Sequence, residues 1–161
     1  MGIGGMAQAE PTRLTVLDGR LSFSVPADWE KRTRPNTAFS VESTDPNAWA
    51  ECTLTIDNAP SMGRGQAEAN EQLRQYMTYR GPKLEGSETL HHSSFEDRDG
   101  VTIFKSASTA NELTNERRAF YLIDEDRVDV VTIMCFYYPE DKASALPAVT
   151  QFLGSLRIAG R

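Results

Sequence analysis

The sequence predicts an α+β domain: a single antiparallel sheet with two helices packed on one face. Three observations carry this reading. Most of the chain alternates apolar and polar residues with a period of two, two stretches switch to helical spacing, and the order strands, helix, strands, helix is linked by hairpin-type turn signals. At 161 residues the chain is about one domain long and can bury a core without staples.

The first two strands are RLTVLD and RLSFSVP, joined at Asp18-Gly19, where both residue types tolerate positive φ. Leu21, Phe23 and Val25 share one face, and Pro26 ends the ladder because it has no N–H to donate. A polar passage runs through Pro35, then TAFSVEST reads as a third strand and AECTLTID as a fourth, with Cys52, Leu54 and Ile56 on its inner side. APSMGRG breaks the pattern before QAEANEQLRQYMTYR, a stretch free of Pro and Gly that carries Leu73 and Met77 at helical spacing and is stopped by Gly81-Pro82.

The period of two then returns. Strands are expected near 84–90 and 93–97, then at VTIFKSAS after an Asp99-Gly100 turn, then at RRAFYLID. A tight acidic turn at Asp124-Glu125-Asp126 leads into VDVVTIMCFYY. The chain closes with a helical stripe of Leu146, Val149, Leu153 and Leu156, with Pro147 at a kink or restart. Leu73, Met77, Val149 and Leu153 are the residues expected to bury the two helices against the sheet.

With 17 basic against 23 acidic residues and a net charge of -6, the chain lacks the clustered basic face that phosphate binding needs, so nucleic acid is not an expected partner. No run approaches the roughly 18 apolar residues of a membrane span, so membrane insertion is not expected either. Residues 1–12 read as a flexible segment or a signal-peptide remnant, the latter because Ala7-Gln8-Ala9 has the small-x-small pattern of a cleavage site. Residues 13–161 form the single domain. Cys52 and Cys135 each sit inside a strand and are expected to be free thiols, buried like small apolar residues.

No catalytic, cofactor-binding or metal-binding residue is nominated. The chain has no Gly-rich phosphate loop, no C-x-x-C and no G-x-S-x-G. His91 and His92 are adjacent on a strand and point to opposite faces, a poor arrangement for holding one metal ion. DEDRVD lacks the Gly and Glu of a calcium loop, and Glu112 and Glu116 fall in an expected loop. The chain reads as a non-enzyme. A small-molecule cleft between sheet and helix is a further class, but no convergent polar groups nominate one.

One strand resists a one-sided sheet. VDVVTIMCFYY is apolar on both faces, whereas an antiparallel strand covered on one side alternates. Val130, Met134, Phe136 and Tyr138 are therefore the partner-facing candidates, facing a protein partner or a second copy. Which face carries the helices is open, so Val131, Ile133 and Tyr137 are the alternative set.

The segments GRLSFSVPADW, YRGPKLE and VVTIMCFYYPEDKASALPAVTQFLGSLRI, in this order, resemble the DcrB-like family over residues 13–158. The resemblance implies a PsbP-like fold and a non-enzymatic, periplasmic envelope protein acting through protein–protein contacts. The family's lipid-accepting cysteine has no counterpart near the N-terminus. A related branch, the Eag-type chaperones of type VI secretion, implies the alternative: a cytoplasmic dimer that shields apolar transmembrane segments of effectors. The doubly apolar strand suits that branch, and the SFSVPADW opening and Ala7-Gln8-Ala9 suit the first.

Overall fold

The computed structural model describes residues 12–82, 84 and 86–160, so the Ala7-Gln8-Ala9 pattern lies outside the described residues. The strands are β1 (Thr12–Val16), β2 (Leu21–Val25), β3 (Trp29–Arg32), β4 (Phe39–Ser43), β5 (Ala50–Pro60), β6 (Thr89–Arg98), β7 (Val101–Ala110), β8 (Leu113–Asp124), β9 (Arg127–Tyr137) and β10 (Arg157–Ile158). Helix α1 (Gln66–Arg80) precedes β6, and a 3₁₀ turn at Pro139–Asp141 opens α2 (Lys142–Gly154).

The described residues form two antiparallel sheets rather than the expected one. β1, β2 and β10 form a three-stranded sheet, and the other seven strands run in the order β3-β4-β5-β9-β8-β7-β6. The final SLRI leaves the helix after Gly154, and Arg157–Ile158 pairs with β2, which pulls the N-terminal hairpin away from the large sheet.

The helices lie on opposite faces of the large sheet, another departure from expectation. Asp97 and Arg98 are consecutive in β6 and so point to opposite sides. Arg74 of α1 donates to Asp97 at 2.8 Å and lies over the Phe95 ring, whereas Arg98 donates to Leu153 O, at the end of α2, at 3.1 Å. Helical spacing identifies which residues of a helix are buried; it carries no information about which side of a sheet receives them.

On the α2 face, Cys52, Leu54, Val131, Ile133, Cys135 and Tyr137 form the floor of the main core, all at most 1% exposed. Ala145, Val149, Phe152 and Leu153 of α2 pack onto this core. Phe152 stacks on Phe23 at 5.0 Å and on Trp29 at 5.9 Å, tying α2 to the small sheet and to β3. Pro147 sits inside a continuous α2.

On the other face α1 buries little apolar surface: Ala69 and Leu73 are buried and Met77 is partly so. It docks chiefly through amides. β7 and β8 pair from Phe104↔Ala119 toward Ala110↔Leu113 and diverge at their other ends. Gln66 and Asn70 fill that opening. Gln66 donates to Tyr121 O at 2.8 Å and accepts from Ile123 N–H at 2.9 Å, while Asn70 donates to Gly100 O at 2.9 Å and accepts from Thr102 N–H at 3.1 Å. The two side chains also bond each other at 2.9 Å, so a side-chain bridge replaces the missing ladder.

In place of the two strands expected near 84–90 and 93–97 there is one, β6, which begins only at Thr89 and has a register shift between Leu90 and His92. Glu116 lies within β8, not in a loop; the β7–β8 turn is Asn111–Glu112, with φ of 51° and 66°. Cys52 and Cys135 face each other across β5 and β9 and form a disulfide, Cα–Cα 4.0 Å, which overturns the expectation of two free thiols. The two residues are 83 apart in sequence, and their register is a property of the long-range pairing alone.

Candidate functional site

Strand alternation sorts β9 into two sets. Val131, Ile133 and Tyr137 are core, which removes them as a partner-facing set. Val130, Met134 and Phe136 lie on the α1 face and are half-buried, and Tyr138, just past the strand, is 40% exposed. Helix α1 packs on β7 and β8, so this stripe runs beside the helix rather than beneath it.

The stripe has a wall on each side. Toward α1, Tyr121 is the cross-strand neighbour of Val130, and burial, with Tyr76 close by, raises its phenol above the ordinary value. Tyr76 is 50% exposed and Tyr79, one turn further, is 87% exposed. Arg117 reaches over the strand to Met134, Nη2 to Sδ 3.4 Å. Toward β4 the floor becomes ionic. Arg34 donates to Glu51 at 2.8 Å, and Ser40 donates to the same carboxylate at 3.0 Å. Glu42 accepts from Trp49 Nε1 at 2.6 Å and from Arg32 at 2.7 Å; the indole N–H, then the guanidinium, hold its carboxyl below the usual range. Trp49 in turn meets Tyr138, ring centroids 5.3 Å apart. Every polar group named on this side has a partner, while the apolar groups of the stripe remain part-exposed. Such a surface is suited to burying a complementary surface, with Tyr, Trp, Met and Arg as its anchors.

A second concavity, about 780 Å³, opens on the α2 face beyond the start of α2. Its lining includes His91, His92, Thr109, Thr114, Glu116, Tyr137 and Lys142. Tyr137 O–H donates to Glu116 Oε1 at 3.3 Å, and burial, with the carboxylate alongside, pushes its pKa up to about 12. Arg118 lies 3.9 Å from Glu116, and burial pulls its guanidinium below the ordinary value. His91 and His92 are both exposed and rim this one cleft; His91 Nε2 meets Thr109 Oγ1 at 2.5 Å. Among the described residues no group of three or more His, Cys, Asp or Glu could hold a metal ion. Polar groups therefore do converge here, contrary to the sequence reading. The signal was present in the alternation Thr114, Glu116, Arg118, Phe120, Leu122, masked by reading 112–116 as a loop.

No protein-family model and no curated protein matches the chain. Solved structures do. The solution structure of cyanobacterial PsbP (CyanoP) from Synechocystis sp. PCC 6803 superposes with TM-score 0.61 at 11% identity, covering 99% of this chain and 98% of its own. LpqN of Mycobacterium tuberculosis, described as involved in cell envelope biogenesis, superposes with TM-score 0.64 at 12% identity, covering 94% of this chain and 91% of its own. A Bacteroides thetaiotaomicron structure gives TM-score 0.53 at 11% identity, covering 96% of this chain and 50% of its own. The fold is PsbP-like.

Proposed function

We propose that this chain is a non-catalytic, DcrB-like protein of the periplasmic envelope that works by binding another protein along the β9 stripe. The observation that carries the reading is the seam of Val130, Met134, Phe136 and Tyr138 beside Tyr121 and the half-exposed Tyr76, apolar and aromatic surface set next to a paired ionic surface. Two further facts support the compartment. The Cys52–Cys135 disulfide belongs to an oxidising environment. LpqN, involved in cell envelope biogenesis, shares the fold.

The Eag-type reading, a cytoplasmic chaperone for apolar transmembrane segments, draws on the same stripe. A helix is about 10 Å across and covers roughly two strands, so a second helix could lie beside α1 over β9 and β5. The β5 half of that seat carries Glu51, Thr53, Thr55 and Asp57, which suits an amphipathic segment better than an entirely apolar one. The disulfide also weighs against the cytoplasm.

The test is affinity capture from envelope extracts with the wild-type chain and with Met134→Ser/Phe136→Ser, each first checked for native circular dichroism. A partner retained by the wild type and lost from the folded variant supports the proposal. Equal capture by both removes the stripe from consideration.

A further inference from the structure

The large sheet ends in two unlike edges. β3 is four residues long and carries exposed Glu30, Lys31 and Arg32, the short charged edge that natural sheets use to prevent strand addition. β6 is ten residues long, paired on one side by β7, and among the described residues no strand pairs with its other side. Its register shift lies between Leu90 and His92, so the stretch from His92 to Arg98 is straight, and it contains neither proline nor lysine. Its charges are already engaged within the chain: Glu96 with Arg98 at 2.7 Å, Asp97 with Arg74 at 2.8 Å.

We propose that this edge takes the β6 of a second copy, antiparallel about a two-fold axis through Phe95, joining the two seven-stranded sheets into one. A two-fold antiparallel pair must set one residue opposite itself, and the sequence selects which. With Phe95 on the axis, the two phenylalanines meet on the α1 face, the favoured kind of cross-strand pair. Ser94 then faces Glu96 of the second copy, and Ser93 faces Asp97, so each carboxylate meets a hydroxyl and none meets another carboxylate. Moving the axis to Glu96 stacks two carboxylates on it; moving it to Ser94 drives the pairing into the irregular stretch at His91. This surface is separate from the β9 stripe, and the proposal stands or falls apart from the partner reading.

The interface is a strand edge, smaller than the roughly 800 Å² per partner of a standard interface, so the dimer is expected to be weak, with Kd of about 10 µM to 1 mM. Sedimentation velocity across that range, on the full chain with its disulfide intact, tests it. Ser94 is exposed, so variants there fold. Ser94→Glu puts a carboxylate opposite Glu96 at two symmetric places and should weaken dimerisation by about tenfold, whereas Ser94→Lys puts an ammonium there and should strengthen it. A wild type that stays monomeric throughout, or two variants that shift alike, would overturn the proposal.

Discussion

Removing the Cys52–Cys135 disulfide is the perturbation whose size the structure fixes most directly. The bond closes a loop of 83 residues between β9, the central strand of the large sheet, and its neighbour β5. In the chain-entropy model a loop of that length restricts the unfolded ensemble by about 4.5 kcal/mol at 25 °C. Both sulfurs lie in the core, and Cys52→Ala with Cys135→Ala removes little volume, so the loop term dominates. For a domain of this size each kcal/mol moves Tm by about 2–4 °C, so the double variant should melt roughly 9–18 °C lower. In urea, with a slope of about 2 kcal/mol/M, the midpoint should fall by about 2 M, and the slope should rise because the unlinked unfolded chain exposes more surface. Thiol titration of denatured, unreduced protein recovered from an oxidising compartment should find no free thiol. Two thiols per chain, or a stability change under about 1 kcal/mol, would refute the reasoning and strip the export reading of its chemical support.

Three more outcomes are expected. Gln66→Ala and Asn70→Ala each orphan backbone groups of the opened β7–β8 ends and should cost about 1–3 kcal/mol per unmet group in denaturant unfolding, whereas Glu71→Ala on the exposed side of α1 should cost almost nothing. Met134→Ser with Phe136→Ser should keep the fold, losing only about 1–3 kcal/mol because both side chains are half-buried; outright unfolding would make them core. Tyr137 holds its proton up to about pH 12 when folded, so its contribution is full below the ordinary tyrosine range near 10 and is lost as pH rises through about 12. Wild-type stability should therefore fall across that window more steeply than that of Tyr137→Phe.

Local elements were readable because their signals are local. Gln66–Arg80 needed only helical spacing and the Gly81-Pro82 stop, and the Asp99-Gly100 turn needed two residues that accept positive φ, observed at 54° and 80°. Where the signal is weak the pattern misleads: Asn111–Glu112 turns without a glycine, so the sequence marks β8 only from Arg117 onward, and Glu116 falls outside it although it lies within the strand. β3 was missed because Glu30, Lys31 and Arg32 lack alternation, as an edge strand exposed on its outer side can. What no local pattern encodes is which distant strands pair. The disulfide, the split into two sheets and the side of the sheet that each helix occupies all follow from long-range register.

The doubly apolar β9 shows how such a failure can still leave a usable inference. Its pattern implied cover on both faces, and both faces do carry a helix, but α1 sits over β7 and β8, one strand short of it. The amides of Gln66 and Asn70 explain that offset. They anchor α1 to the opening between β7 and β8, where unpaired N–H and C=O groups cost more to bury than β9's methyl groups cost to leave half in water. With its position set by polar groups, α1 turns Tyr76 and Tyr79 toward solvent instead of into a core. The apolar surplus of β9 and Tyr76 of α1, which lies close to Tyr121 beside Val130, then border the same seam. A partner that covered it would bury both at once, which is why the two are better read together than as separate irregularities.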